Sequence, residues 1–212
     1  MSTPGDDGWL AAGTADPGDV ASYYDGWAAN YDGDLDSWEY LSPRIVADLI
    51  GECCPDANEV LDAGCGTGLA GRALRASGHA GPLVGIDLSE LSLEIAGRDG
   101  TYTAVSRGDL QQPLPFGDDV FDAVMCVGVM TYVPDVESCW REFARVVRSG
   151  GVVVVTQRED VWHERRTAAV VERFERDGTW TSVQVSGPEP YLPGHVDFAD
   201  RIGVYYVVSL VS

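Results

Sequence analysis

A chain of 212 residues that is 45% hydrophobic is long enough for one domain around one sizeable core, and too apolar to be a disordered segment. Its 34 acidic residues oppose 14 basic ones, all of them arginine, for a net charge of −20. Such a surface repels phosphate, so no nucleic-acid partner is expected. The longest apolar runs, residues 152–155 and 204–208, are too short to span a bilayer. The small, acidic start over residues 1–8 lacks the basic and apolar stretches of a secretion signal. The expectation is a cytoplasmic protein that does not engage a membrane, as a monomer or homodimer. Five cysteines without a C-x-x-C pair, and three scattered histidines, predict neither a disulfide framework nor a metal site.

Residues 1–17, rich in Gly, Asp, Pro and Ala, read as a mobile tail. From Asp19, taken as the cap, Val20, Tyr23, Tyr24, Trp27 and Tyr31 recur every three or four residues and predict a helix. A second helix starts near Pro43, with Ile45, Val46, Leu49 and Ile50 on its apolar face, and stops at Cys54-Pro55. Strands and helices then alternate. Strand 59–63 leads through a glycine-rich turn, 64–68, into a helix to Ser77. Strand 83–87 leads into helix 89–96, and strands 101–106 and 121–126 follow. Helix 135–147 turns at Ser149-Gly150-Gly151 into strand 152–157, whose unbroken valines predict burial on both faces. A helix over about 162–177 precedes two last strands, 181–186 and 202–210. The alternation predicts an α/β chain with a doubly wound, mostly parallel sheet of seven strands and helices on both faces. The last two strands have no helix between them and should add antiparallel at one edge.

The chemistry concentrates in Val60-Leu61-Asp62-Ala63-Gly64-Cys65-Gly66-Thr67-Gly68-Leu69. A buried strand ends beside an acid, and three glycines let the backbone approach a ligand at the start of a helix. Gly66-Thr67-Gly68-Leu69-Ala70-Gly71 satisfies the dinucleotide pattern, with Asp87 as the ribose acid. A dinucleotide, however, would bring a pyrophosphate to a loop that holds Asp62 and no basic residue before Arg72. S-adenosylmethionine has no phosphate and carries an ammonium and a sulfonium, which suit a carboxylate.

The stretch Asp62-Ala63-Gly64-Cys65-Gly66-Thr67-Gly68 resembles the first motif of class I S-adenosylmethionine-dependent methyltransferases, and the likeness extends over about residues 20–157. The resemblance implies a Rossmann-like fold, S-adenosyl-L-methionine as cofactor, S-adenosyl-L-homocysteine as product and a small-molecule methyl acceptor. It places Asp62, Ala63, Gly64, Cys65, Gly66, Gly68 and Leu69 at the methionine end of the cofactor. Asp87, followed by Leu88, would hold the ribose hydroxyls. Asp109, followed by Leu110, would meet the adenine, and Cys126, Val127 and Gly128 would face the sulfonium. More narrowly, Tyr24-Asp25-Gly26-Trp27-Ala28-Ala29-Asn30-Tyr31-Asp32, Gly178-Thr179-Trp180 and Gly203-Val204-Tyr205-Tyr206 are similar to the methyltransferase-like subfamily of the Williams–Beuren syndrome region.

Trp27 and Tyr31 are expected to form a lid over the sulfonium, since aromatic faces attract cations and exclude water, while Tyr24 reads as core. His163 and His195 are weak candidates for a catalytic base, against the plainer reading of solvated surface histidines. Cys65 and Cys126 read as small loop fillers. The expected layout is a helical lid over 18–50, a cofactor core over 59–157 and an acceptor side over 158–212. The rival readings are a different reaction on the same scaffold, such as cyclisation or decarboxylation, and a cofactor sensor without turnover.

Overall fold

The computed structural model describes residues 14–199 and 201–212. Most of the expected tail, residues 1–13, lies outside them. The first helix, α1 (Pro17–Ser37), begins earlier than the periodicity suggested. Its cap is Asp16, not Asp19: the Asp16 carboxylate accepts from the Gly18 and Asp19 amides at 2.9 and 3.0 Å. Pro17 fits the first turn because it has no amide hydrogen to leave unpaired. After α2 (Ser42–Cys53) come β1 (Val60–Ala63), α3 (Leu69–Ala76), β2 (Leu83–Asp87), α4 (Glu90–Ala96), β3 (Ala104–Arg107) and β4 (Phe121–Cys126). A 3-10 turn (Met130–Tyr132) then leads to α5 (Val136–Val146), β5 (Val147–Arg158), α6 (Glu159–Glu164), α7 (Thr167–Asp177), β6 (Trp180–Val185), β7 (Glu189–Pro190) and β8 (Gly203–Val211).

The strand order is β3-β2-β1-β4-β5-β8-β6, with the two-residue β7 added on β8. Strands β1 to β5 run parallel, and β8 pairs antiparallel with both β5 and β6. The sheet is the expected doubly wound one, with one short strand more than expected. Val152 to Val155 are fully buried because alternate valines face opposite layers. Val153 and Val155 pack with Trp140, Phe143 and Phe174 of α5 and α7, and Val152 and Val154 with Val46, Ile50 and Leu74 of α2 and α3.

Three expected elements differ. The fifth strand starts at Val147 instead of Val152, so Ser149-Gly150-Gly151, expected as a turn, lie within it. The helix over 162–177 is broken in two, with Arg166 left-handed at φ 53° between the halves. The break lets Arg165 donate to the carbonyls of Met130, Thr131 and Val133 at 2.7, 2.8 and 2.6 Å. The carbonyls of the turn after β4 are thereby tied to the helical layer. The third strand starts at Ala104 instead of Thr101 because Tyr102 turns inward, where its hydroxyl donates to Asp62 at 2.6 Å.

Candidate active site

The order of the sheet reverses between β1 and β4, so the segments leaving their carboxyl ends diverge and open a crevice. A cavity of about 710 Å³, its mouth included, occupies that place. Four segments line it: Gly64, Gly66 and Thr67 after β1, Asp87 and Leu88 after β2, Gly108 to Gln111 after β3, and Val127 to Val129 after β4. Val20, Tyr24 and Tyr31 of α1 roof it, and Tyr132, Val133 and Ser92 complete the wall.

The turns after β1 and β4 meet without space between them. Gly64 has φ +80°, and a Cβ there would lie 2.3 Å from Val129 Cγ2. Only glycine satisfies both the conformation and the approach. Asp87 is the polar anchor of the floor. One of its oxygens accepts from the Gly66 amide at 2.8 Å and the other from the Ser89 amide at 2.9 Å. An ionised carboxylate offers about four acceptor sites, so capacity remains for a ligand with two adjacent hydroxyls. Burial pushes the Asp87 pKa above its ordinary value, and the amides of Ser89 and Gly66 oppose that rise. Asp109 accepts from the Gln111 amide at 2.9 Å, which shapes the turn after β3. Gln111 in turn donates to the carbonyls of Ala15 and Tyr132.

Helix α1 is tied down over this floor by two carboxylates. Asp25 accepts from the Ser89 hydroxyl at 2.6 Å and from the Leu91 amide at 3.1 Å. Asp32 accepts from the Thr67 hydroxyl at 2.5 Å and pairs with Arg72, which also donates to the Thr67 carbonyl at 2.8 Å. The roof is therefore bonded to the glycine-rich turn and to the start of α4.

The residues named from the sequence separate into two groups. Tyr31, Gly64, Gly66, Asp87, Leu88, Asp109, Leu110, Val127 and Gly128 line the cavity together. Asp62, Ala63, Cys65, Gly68, Leu69 and Cys126 do not. Ala63 and Cys126 are fully enclosed in the sheet, Cys65 packs on Gly85, and Gly68 packs on Tyr102 at the start of α3. Leu69 packs against the aromatic cluster of α1. Asp62 is 1% exposed and faces Tyr102; burial raises its pKa to about 7 against the opposing hydrogen bond from that hydroxyl. The carboxylates that line the cavity are Asp87 and Asp109, not Asp62. Trp27 is fully buried, donates to Asp34 at 2.6 Å, and borders a smaller neighbouring cavity instead.

Neither histidine reaches the cavity. His163 is exposed on α6, 3.9 Å from Glu159. His195 is not a solvated surface histidine: it is 5% exposed and stacked edge-on against Trp38 and Phe198. The thiols of Cys65 and Cys126 are held well above their ordinary pKa by burial, which suits packing and not nucleophilic attack. Tyr24, taken for core, lines the cavity; it lies seven residues before Tyr31 on the same face of α1, a spacing that carried the signal. Thr67, inside the motif itself, was likewise legible. Tyr132 and Val133 were not, since only the loop geometry after β4 turns them inward.

S-adenosylmethionine fits this lining. The Asp87 carboxylate retains acceptor capacity for vicinal hydroxyls, and the open glycine backbone leaves room beside it. Among the described lining residues two are aspartates and none is basic. A diphosphate would meet no cation there, whereas a cationic ligand meets complementary charge.

Residues 61–155 match a family model described as a methyltransferase domain. Human methyltransferase-like protein 27 is 32% identical over 184 residues, which span 80% of this chain and 71% of that protein. Demethylmenaquinone methyltransferase of Tropheryma whipplei is 35% identical over 138 residues, 65% of this chain and 53% of its own length. The chain thus spans about half the length of that relative. Among solved structures, phosphoethanolamine N-methyltransferase 2 of Haemonchus contortus, in complex with phosphomonomethylethanolamine and S-adenosylhomocysteine, superposes with a TM-score of 0.68. The identity is 15% over 93% of this chain and 59% of that one, a likeness of fold.

Proposed function

The chain belongs to the class I S-adenosylmethionine-dependent methyltransferases, and from that membership we propose that it methylates a small-molecule acceptor seated beside Gly128. The observation that supports this reading best is the cavity at the sheet reversal, with two carboxylates and no basic side chain in its described lining. The quinone-methylating relative makes a small acceptor a natural class, as does a concave site lined by few polar groups.

When bound, S-adenosylmethionine supplies a methyl group already activated on a sulfonium. The chain's own residues bind, orient and shield. We assign the ribose hydroxyls to Asp87, the adenine to Asp109 and Leu110, and the methionine end to Gly64 and Gly66. Tyr24 and Tyr31 close the roof and exclude water. Neither histidine lies where it could take a proton from an acceptor, so catalysis rests on alignment. The roof over 18–50 is proposed as a lid whose closure aligns the acceptor, and 158–212 as the acceptor side. Calorimetry with S-adenosylhomocysteine, followed by assays of S-adenosylhomocysteine formation on an acceptor panel, tests the proposal. Micromolar binding and acceptor-dependent turnover are expected; NADH binding without S-adenosylhomocysteine binding refutes it.

A further inference from the structure

A second, smaller and partly open cavity, about 280 Å³ with the solvent at its mouth included, adjoins the first and shares Tyr24, Tyr31 and Gly128 with it. Its wall is aromatic: Tyr24, Trp27 and Tyr31 come from α1, Tyr40 from the turn after it, and Tyr191 from the segment between β7 and β8. The rings brace one another edge-on. Trp27 and Tyr31 are 4.8 Å apart at 78°, and Tyr40 and Tyr191 are 5.8 Å apart at 81°. Gly128 joins the two spaces, with φ +76°; a Cβ there would come within 2.7 Å of the Tyr40 hydroxyl. No charged residue is among the described lining of this second cavity.

We propose that this aromatic box is the acceptor subsite and that it takes an amine, recognised as an alkylammonium by the ring faces. The proposal deepens the methyltransferase reading and rests on it. Aromatic faces carry negative potential and hold cations most strongly where water is excluded. They offer nothing to an anion. The net charge of −20 concentrates cations at the surface and repels anionic acceptors. One cation already lies against its wall: the Arg158 guanidinium is 5.9 Å from the Tyr191 ring centre. Asp160 balances that arginine through two hydrogen bonds, so it presents little net repulsion to a second cation.

The proton balance also favours nitrogen over oxygen. A hydroxyl acceptor has to lose a proton as it attacks, and the described lining of the box holds no ionised base. Its phenols are kept neutral, since burial holds Tyr24, Tyr31 and Tyr40 well above their ordinary pKa. The bound ammonium gives its proton to solvent at the mouth of the box, and the neutral amine so formed attacks. Its lone pair then forms the nitrogen–carbon bond, the carbon–sulfur pair returns to sulfur, and the positive charge passes from sulfur to nitrogen. No proton leaves in that step, and the ammonium product suits the same box.

Choline and its uncharged isostere 3,3-dimethyl-1-butanol test the charge preference with one shape. Each is titrated calorimetrically into the full chain saturated with S-adenosylhomocysteine, at fixed ionic strength. Choline should bind at least about tenfold more tightly, the scale of a desolvated cation–aromatic contact. Tyr191→Phe should keep that gap and Tyr191→Leu should close it, with Tyr40→Leu as the second variant should the first not fold. Both variants retain the net charge, so diffuse attraction to the acidic surface is separated from the box. Equal binding of the two probes, a gap that survives loss of the ring, or tighter binding of catechol as a flat oxygen acceptor overturns the proposal. Failure of S-adenosylhomocysteine to bind the unaltered chain overturns the underlying methyltransferase reading instead.

Discussion

Asp62 stands in the motif that points to the cofactor, yet it is sealed beneath Tyr102, and replacing it tests which role it has. A carboxyl raised from its ordinary 3.8 to about 7 keeps its proton in the folded chain over a pH range where the unfolded chain has lost it. Unfolding then releases a proton, so the contribution of Asp62 to stability falls as pH rises from about 4 to about 7 and is level on either side. At about 1.36 kcal/mol per pH unit the full effect is about 4 kcal/mol, an upper bound for a buried group whose surroundings relax. Asp62→Asn removes the titration and retains an oxygen to accept from Tyr102. Urea unfolding of both proteins at half-unit steps from pH 4 to 8 gives the difference in stability. That difference should shift in favour of the variant by about 1–4 kcal/mol across the interval. The carboxyls Asp122, Asp135 and Glu142, held by arginine or by hydrogen bonds, are lowered from their ordinary values, so their contributions change at the acid end of the range and cancel in the comparison. S-adenosylhomocysteine affinity should change by less than about threefold, since Asp62 does not line the cavity. Parallel stability curves would refute the burial of an uncharged carboxyl, and a loss of affinity as large as that of Asp87→Ala would refute its placement outside the site.

Asp87→Ala should weaken S-adenosylhomocysteine binding by about 1–3 kcal/mol in calorimetry, the cost of charge-assisted hydrogen bonds lost from the cavity floor. Asp32→Ala frees the glycine-rich turn from α1; because the Asp32–Arg72 pair is partly exposed, thermal unfolding should show a loss of about 1 kcal/mol or less, together with weaker cofactor binding. Gly64→Ala should destabilise by about 2–4 kcal/mol through left-handed strain and the collision with Val129. Adding Val129→Ala should recover the collision part alone, and full recovery in denaturant unfolding would show that φ +80° carries no cost. Finally, melting temperature at constant pH should rise with potassium chloride, as the Debye length shrinks from about 30 Å at 0.01 M to about 3 Å at 1 M and screens a net charge of −20. A flat trend would mean that pairs such as Arg145 with Glu142 and Arg148 with Asp122 already offset the repulsion.

The order of elements and the position of the glycine-rich turn were legible in the chain because they rest on local rules. The run Val152 to Val155 can be satisfied only by cover on both faces, and Asp62-Ala63-Gly64-Cys65-Gly66-Thr67-Gly68 describes a tight strand-to-helix turn by itself. Asp87, as the last residue of a parallel strand beside that turn, followed from the same logic. What tertiary structure alone decided is the direction of side chains that local pattern leaves free. Asp62 turns from the cavity because Tyr102, forty residues later, reaches it with a hydroxyl. Helix α1 starts at Pro17 and registers on the sheet through Asp25 and Asp32, and that register sends Tyr24 and Tyr31 into the larger cavity while Trp27 borders the smaller one. His195 is enclosed because its loop folds back on Trp38, with the Gly194 amide on the Trp38 carbonyl. In each case a helical or loop periodicity specifies that a side chain is available for burial, but the partner that receives it lies far along the chain, and only the packed fold selects it.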